Sequence, residues 1–349
     1  TGEETDATVA RARAAAADFV GGAPEEVAFG ASMTALTFHL ARALARGFRE
    51  GDEIVVTELD HHANVDPWKH VARDHGLVVR TVAALGDAGT LDMEDLARRL
   101  GPRTRLVAVG GASNALGTVP DVAAVSRLAR AHGALVFVDA VHYAAHLHID
   151  VAALGCDFLA CSPYKFYGPH QGILWGRREL LERLDVPKVQ PAPDSAPERL
   201  ELGTPSFEAM AGTTAAIDFL AALATVDGPR RERLAASMHA LHLRGLALVR
   251  QMIDGLRAVP RVRVLGPAHD APRTPTVSFA VGERPAREVA RALAARGVFA
   301  SSGNFYASTI VAKLGYGATG LVRAGAACYT TSDEVARLVD AVAEVARTA

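Results

Sequence analysis

The sequence lacks the features that mark several large classes of protein. Lysine and arginine (37) nearly balance aspartate and glutamate (39) among its 349 residues, and no run of basic residues occurs. Nucleic acid binding therefore has no electrostatic basis. No apolar stretch reaches the length of about 18 residues that a membrane span needs, and no signal-peptide pattern is present. These absences predict a protein with neither a nucleic-acid nor a membrane partner.

Cysteine and aromatic residues are also scarce. Cys156, Cys161 and Cys328 form neither a CxxC pair nor a disulfide framework, which predicts a reducing, cytoplasmic location. Only 6% of the residues are aromatic although 50% are apolar, a composition typical of a helix-rich globular enzyme. The chain begins at Thr1, inside a helical pattern, from which we expect that a leading segment has been lost.

Short, nearly continuous apolar runs alternate with helical patterns over the first two thirds of the chain. Such runs are typical of strands that are buried on both faces, and strand–helix–strand units predict a largely parallel sheet covered by helices. The predicted strands are 52–59, 76–82, 104–113, 134–140, 157–162 and 172–176. We assign residues 1–229 to one large α/β domain, in which ligands should bind at the carboxyl ends of the strands.

A second pattern begins near residue 230. A long helical stretch over 229–259 precedes a shorter alternation of strands and helices. The strands are predicted at 274–282 and 321–329, and the helices at 285–297 and 332–349. We therefore expect residues 230–349 to form a long linking helix and a small C-terminal α+β domain.

Polar residues stand where the predicted strands end. Asp139 ends the apolar run VFVDA, and a buried carboxylate needs a cationic partner. Lys165 follows the next run, in CSPYK, and a desolvated lysine is a nucleophile toward carbonyl groups. Pyridoxal phosphate (PLP) answers both needs, because it forms a Schiff base with a lysine and pairs its pyridinium nitrogen with an aspartate.

The phosphate of such a cofactor also has a predicted anchor. Residues 30–32, GAS, lead into an apolar helix, whose free N–H groups would favour an anion, and the hydroxyls of Ser32 and Ser162 would add to them. Taken singly, Asp139 and Ser32 could each be a helix cap, and Lys165 could simply extend to solvent. Their joint position at strand ends favours the cofactor site.

Two other patterns predict no site. The stretch GYGATG at 315–320 matches GxGxxG, but a strand-like run follows it instead of preceding it, which is the reverse of a dinucleotide-binding order. Two groups of potential metal ligands fit no standard spacing, and no metal is expected. These groups are His142, His146 and His148, and Asp60, His61 and His62.

Four stretches of the chain together carry a resemblance to a known family: ELDHHANVDPW, SNALGT, VDAVHYAAH with CDFLACSPYKFYGP, and ELGTPS. From about residue 10 to the C-terminus, the chain resembles the fold-type I PLP enzymes of the class V aminotransferase group, on the cysteine desulfurase and selenocysteine lyase branch. The resemblance implies a mainly parallel central sheet covered by helices, with a small C-terminal domain. It also implies an α-amino acid substrate and a homodimer with shared active sites.

The resemblance implies a role for each matching residue. Lys165 would be the Schiff-base lysine and would move protons, and Asp139 would pair with the pyridinium nitrogen. His62 would stack on the pyridine ring, and His142 would hydrogen-bond the ring oxygen. The other implied ligands are Ser32, the Met33 backbone, Ser162 and Tyr164 at the phosphate, Thr204 at the phosphate in the partner subunit, Asn114 near the ring hydroxyl and substrate, and Arg323 at the substrate carboxylate.

The chain departs from the family in the stretch that decides the reaction. Family desulfurases carry a catalytic cysteine in a motif resembling RTGHHCA, whereas the matching stretch here is FASSGNFYAS, with Tyr306 at the cysteine position and Ser301 in place of the arginine. Without a thiolate there is no nucleophile to accept sulfur as a persulfide. We therefore expect C–S or C–Se bond cleavage without a persulfide cysteine.

Two alternatives remain open. An amino-acid epimerase or aminotransferase on the same scaffold would use Tyr306 as a second acid/base, on the face opposite Lys165. A non-catalytic PLP-fold binding protein would account for the missing cysteine. The presence of Lys165, Asp139, His62 and Asn114 speaks against that second alternative.

Overall fold

The computed structural model describes residues 1–347, in which strands and helices alternate. The strands are β1 (Val27–Gly30), β2 (Glu53–Thr57), β3 (Val78–Val82), β4 (Ala84–Leu85), β5 (Thr90–Leu91), β6 (Thr104–Gly110), β7 (Leu135–Asp139), β8 (Phe158–Cys161), β9 (Gly172–Gly176), β10 (Val262–Leu265), β11 (Thr276–Val281), β12 (Ser301–Gly303) and β13 (Leu321–Gly325). The helices are α1 (Gly2–Val20), α2 (Met33–Ala45), α3 (Asp66–His75), α4 (Met93–Arg99), α5 (Val122–Ala131), α6 (Val151–Leu154), α7 (Arg178–Leu181), α8 (Phe207–Ala221), α9 (Arg230–Ala258), α10 (Ala286–Ala294), α11 (Ser308–Lys313) and α12 (Ser332–Arg347).

Seven strands form the central sheet, in the order β1-β9-β8-β7-β6-β2-β3. The pairs from β8 to β3 are all parallel, whereas β9 runs antiparallel to both of its neighbours. β1 therefore runs in the same direction as β8. The sheet is mainly parallel, as the sequence predicts, and the carboxyl ends of β1, β2, β6, β7 and β8 meet at one edge, where ligands bind in such sheets.

Both faces of the central sheet are covered. In β7, Val136 and Val138 pack into the apolar cluster that includes α1, α5 and α8, whereas Phe137 packs into the opposite cluster with α2 and α3. Successive side chains of a strand point to opposite faces, so a strand covered on both sides is apolar throughout. This burial explains the continuous apolar runs in the sequence.

The small sheet is antiparallel and has the strand order β10-β11-β13-β12. Its core is a separate cluster shared with α9, α10 and α12, in which Phe279, Val289 and Val342 are buried. The predicted strand at 321–329 ends earlier than expected, at Gly325, because the chain turns before α12. A domain boundary after residue 229 stays a prediction, and residues 348–349 of the predicted small domain lie outside the described residues.

α9 is the longest helix, with 29 residues. Charged side chains such as Arg233, Arg244 and Asp254 recur along it. Accordingly, the described part of the chain contains no helix that is long and apolar enough to cross a membrane.

Candidate active site

A cavity of about 720 Å³ opens at the carboxyl edge of the central sheet. Four of its lining residues stand at or just after strand ends: Ser32 after β1, Asp139 at the end of β7, and Ser162 and Lys165 after β8. We call Asp139, Ser162 and Lys165 the sheet wall. Parallel strands bring together residues that are far apart in sequence, because each strand ends at the same edge.

The start of α2 is fixed against the central sheet at one part of this cavity. Ser32 is the N-cap of α2, and its Oγ accepts a hydrogen bond of 3.1 Å from the Ala35 N–H. The Met33 N–H donates to the Ser162 Oγ at 3.1 Å. Gly172 of β9 leaves no room for a side chain, since a Cβ there would lie 2.4 Å from the Ser32 carbonyl carbon. A helix start held this closely is a preorganised anion site.

Lys165 is the only lysine among the described residues that lines the cavity. Its amine is exposed to the cavity and lies 5.0 Å from the ring centre of Tyr164. Desolvation by the surrounding walls, and next the positive charge of Arg323, lower the pKa of Lys165, while Asp139 acts in the opposite direction. A lowered pKa increases the neutral, nucleophilic fraction of the amine. The other three lysines are the exposed Lys69, and Lys188 and Lys313, which pair with Asp194 and Glu58.

Two buried carboxyl groups lie beside each other under the cavity. Asp139 is 8% exposed and its Oδ1 accepts from the Val141 N–H at 2.9 Å, so it does not cap the following helix. Burial raises the pKa of Asp139 to about 6. Asp60 accepts from the Gly110 N–H at 2.7 Å, and Gly110 pairs with Asp139 across β6 and β7. Burial, and then repulsion by Asp139, raise the pKa of Asp60 to about 8.

The two adjacent histidines of the DHHAN stretch have different surroundings. Both ring nitrogens of His62 are engaged, Nδ1 with Asp66 at 3.0 Å and Nε2 with the Ser308 hydroxyl at 2.9 Å. The His61 ring faces Tyr306, with 5.5 Å between ring centres. Burial, followed by the charge of Lys165, lowers the pKa of His61 to about 4. Both histidines line the cavity, and the stacking role of His62 stays a prediction.

Asn114 and Arg323 present polar groups that the described protein leaves unused. The Asn114 Oδ1 is buried and has no hydrogen-bond partner among the described residues, an arrangement that costs free energy unless a ligand satisfies it. Burial lowers the pKa of Arg323. The Arg323 Nη1 donates to the Asn114 carbonyl oxygen at 2.7 Å, yet no carboxylate of residues 1–347 forms an ion pair with it within 4.0 Å. Arg323 therefore fits the carboxylate of a bound ligand, and the Asn114 Oδ1 fits a hydrogen-bond donor such as an amine or a hydroxyl.

Residues 304–307, which connect β12 to α11, close the opposite side of the cavity, and we call this segment the loop wall. Phe305 and Tyr306 line the cavity and have φ values of 56° and 58°, a left-handed conformation that is uncommon outside glycine. Tyr306 is 73% exposed. The sequence contains no signal for two consecutive left-handed residues of this kind, so sequence reasoning did not identify Phe305.

The remaining predicted ligands occupy different positions. His142 lines the cavity, and its Nε2 lies 3.0 Å from the Thr274 hydroxyl. Burial holds the pKa of His142 well below its ordinary value. Tyr164 also lines the cavity and stacks on His170, with ring centres 5.0 Å apart. Thr204 is exposed and does not line this cavity, and its predicted contact with a partner's phosphate stays a prediction.

The described residues offer neither a thiol nor a metal group at this cavity. Cys156 and Cys161 are buried, and burial raises the pKa of Cys156 to about 12 and raises that of Cys161 further. Cys328 is half-buried, and its backbone N–H donates to the Tyr167 hydroxyl at 3.1 Å. No group of three potential ligands among residues 1–347 could hold a metal ion. The GxGxxG match at 315–320 precedes β13, so no strand leads into it.

Known proteins are similar in sequence to nearly the whole chain. Residues 1–338 match the family Aminotransferase class-V. A cysteine desulfurase of Dickeya dadantii is 34% identical over 342 residues, which cover 94% of this chain and 78% of that protein. A probable cysteine desulfurase of Pseudomonas aeruginosa is 35% identical over 328 residues, covering 90% and 77%.

Solved structures are similar in fold as well. The apo structure of a cysteine desulfurase from Thermococcus onnurineus superposes with a TM-score of 0.90 at 28% identity, covering 99% of this chain and 86% of that one. The cysteine desulfurase CsdA of Escherichia coli gives a TM-score of 0.87 at 29% identity, covering 99% and 85%.

The fold and the site together define a PLP-dependent enzyme of fold type I. The chain belongs to the aminotransferase class V family, in which it is similar to cysteine desulfurases. Its own residues fit the cofactor, because the cavity offers one lysine, the buried Asp139 and the start of α2 at neighbouring strand ends. The unsatisfied Asn114 Oδ1 adds a polar group that awaits a partner.

Proposed function

We propose that this enzyme cleaves the C–S (or C–Se) bond of cysteine or a related α-amino acid without forming a persulfide on a cysteine of its own. The observation that carries this proposal is the composition of the cavity. Tyr306 stands in the loop wall where the desulfurase cysteine is expected, and no cysteine of the described chain lines the cavity. The cavity therefore contains no protein thiolate that could attack the sulfur atom of a bound substrate.

The sheet wall supplies most of the cofactor site in this proposal. Lys165 would bind the aldehyde carbon, Asp139 the ring nitrogen, and Ser162 with the start of α2 the phosphate. His62 would stack on the ring, and His61, which also lines the cavity, is the alternative. Bound PLP supplies an electron-withdrawing ring conjugated to the substrate α-carbon.

Each step requires a specific group of the chain. Arg323 binds the substrate carboxylate with its N–H edge. The Lys165 amine, whose lowered pKa favours its neutral form, takes the α-proton at Nζ. The C–S bond then breaks, and the sulfur leaves with the bonding electron pair and gains a proton. The three-carbon fragment takes up water and ends as pyruvate and ammonia, so no oxidant or reductant is needed.

The test is a product analysis with purified enzyme and PLP. Cysteine, selenocysteine and S-substituted cysteines are supplied in turn, and sulfide, selenide or thiol is measured together with pyruvate. We expect release in equal amounts to pyruvate for at least one of them. Absence of release from all of them refutes the proposal. Mass spectrometry of the protein after turnover should find no added sulfur.

An epimerase or aminotransferase is the second candidate. Tyr306 lies beside His61, at 5.5 Å between ring centres, and so faces the cavity from the loop wall, as a second acid/base would. Reactions in deuterium oxide separate the candidates. Deuterium at the α-carbon with inversion and no leaving group indicates an epimerase, whereas formation of a 2-oxo acid with transfer of the amino group indicates an aminotransferase.

We also propose a cytoplasmic homodimer with shared sites. The exposed Thr204, which in the family pattern reaches the partner's phosphate, and three free cysteines support it. Residues 1–229 and 230–349 would be the large and small domains of each subunit. Sedimentation of the purified protein tests the dimer, and a monomer that retains full activity would contradict shared sites.

A further inference from the structure

The Arg323 guanidinium is held on two sides by neutral groups. Its central carbon lies 4.4 Å from the centre of the Phe305 ring, so that the guanidinium covers that ring. In its own plane, Nη1 donates to the Asn114 carbonyl oxygen at 2.7 Å. A guanidinium over an aromatic face is attracted by the ring, and this contact fixes the orientation of a plane that the side chain torsions would otherwise leave free.

The backbone that places the Phe305 ring is strained. Phe305 and Tyr306 are consecutive left-handed residues without the freedom of glycine, and such conformations persist only where neighbouring contacts impose them. Three contacts do so here. The Asn114 Nδ2 donates to the Phe305 carbonyl oxygen at 2.8 Å, the His62 N–H donates to the Tyr306 carbonyl oxygen at 2.7 Å, and the Tyr306 N–H donates to the Asn304 Oδ1 at 3.1 Å.

Asn114 connects the two features. Its carbonyl oxygen holds Arg323, and its side-chain amide holds the backbone of Phe305. The ring and the guanidinium are therefore tied to the same residue, which itself lines the cavity. Loss of the Phe305 ring would leave the Asn114 hydrogen bond as the single contact described here that orients Arg323.

We propose that Phe305 is a positioning residue for the carboxylate of the substrate. The Phe305 ring holds the plane of Arg323, so that the unused N–H edge of the guanidinium meets a carboxylate in a two-pronged geometry. This inference deepens the proposed function and rests on the role that it gives to Arg323. It assigns specificity for amino acids over simple amines to the loop wall.

The experiment compares two ligands that differ only in the carboxylate. L-alanine and ethylamine, which have no leaving group, are titrated into the PLP-loaded enzyme, and binding is followed through the absorbance of the bound cofactor. Phe305→Leu keeps an apolar side chain and the same backbone demand but removes the ring. Phe305→Tyr keeps the ring. Thermal unfolding of each variant checks its fold, and Phe305→Met replaces Phe305→Leu if the latter does not fold.

We expect Phe305→Leu to weaken L-alanine binding about three- to thirtyfold, the range of a cation–π contact, and to leave ethylamine binding unchanged. Phe305→Tyr, which keeps the ring, should retain the wild-type preference for the amino acid. Equal weakening of both ligands, or no change in either, overturns the proposal. Arg323→Gln separates the two levels of inference. If Arg323→Gln removes the preference for the amino acid and Phe305→Leu does not, only the role of Phe305 is refuted. If Arg323→Gln keeps the preference, or the wild type shows none, the role of Arg323 is refuted.

Discussion

The sheet wall and the loop wall of the cavity are built by different means. Asp139, Ser162 and Lys165 stand at or just after the ends of buried apolar strands, and Asp139 and Ser162 are themselves buried. Residues 304–307 have no regular structure, and hydrogen bonds from Asn114 and His62 maintain their left-handed backbone. We propose that the first wall holds the PLP cofactor. The second contains Tyr306, which we expect to stand in place of the desulfurase cysteine, and we infer that this wall decides the reaction.

The largest expected effect is on the sheet wall. Lys165→Ala should abolish turnover and the absorbance of lysine-bound PLP, because no other lysine among the described residues lines the cavity. Absorbance spectra and borohydride reduction measure this directly. Lys69→Ala, on the exposed side of α3, is the matched control and should behave as the wild type. Persistent colour in Lys165→Ala that borohydride fixes would contradict the assignment.

A smaller but still large loss is expected for Asp139→Asn. The amide cannot balance the charge of a protonated ring nitrogen, and leaving a buried charge unpaired costs about 3–5 kcal/mol. Turnover should fall about a hundredfold or more, and PLP should dissociate more readily in dialysis. An Asp139→Asn variant with the activity and cofactor affinity of the wild type would refute the predicted pairing of Asp139 with the ring nitrogen.

The buried Asp60 should make the free energy of unfolding depend on pH. Burial and the charge of Asp139 raise its pKa from 3.8 to about 8, so the folded protein holds this proton more tightly than the unfolded chain. Its contribution is complete below about pH 4 and is lost as the pH rises through about 8. The free energy of unfolding of the apo wild type, relative to Asp60→Asn, should therefore fall between about pH 5 and pH 8. Urea titrations measure this slope, and a flat difference would show that Asp60 ionises normally.

The smallest effect is expected at the loop wall. If the enzyme is a C–S lyase, Tyr306→Phe should change kcat/KM by less than about tenfold, since the phenol would take no obligatory proton. If Tyr306 is instead the second acid/base of an epimerase, the loss should be about 10²- to 10⁴-fold. The kcat/KM of Tyr306→Phe therefore shows whether the loop wall supplies an acid/base group in addition to Lys165 of the sheet wall.

The sequence predicts the central sheet well because burial on both faces leaves an unbroken apolar signal. All six predicted strands of the large domain are present, from β2 to β9, and Asp92 caps α4 as its position indicates. Five strands, none longer than four residues, are not predicted: β1, β4, β5, β10 and β12. Their side chains lack the periodicity on which such predictions depend.

The site divides in the same way. Asp139 and Lys165 can be predicted because a strand carries each to the common edge of the sheet. The sequence does not decide which of His61 and His62 would cover a bound ring, because both line the cavity and a 3₁₀ turn obeys neither the helical nor the strand period. Phe305 was missed for a related reason, since its position depends on long-range hydrogen bonds from Asn114 and His62.

The three cysteines have a practical consequence. Two are sealed in the core, with thiols 3% or less exposed, and their raised pKa values keep them unreactive. Cys328 alone is within reach of solvent, just beyond β13. A thiol-reactive fluorophore would thus label the native chain at one place, giving an optical reporter near the strand of Arg323 without any engineered mutation.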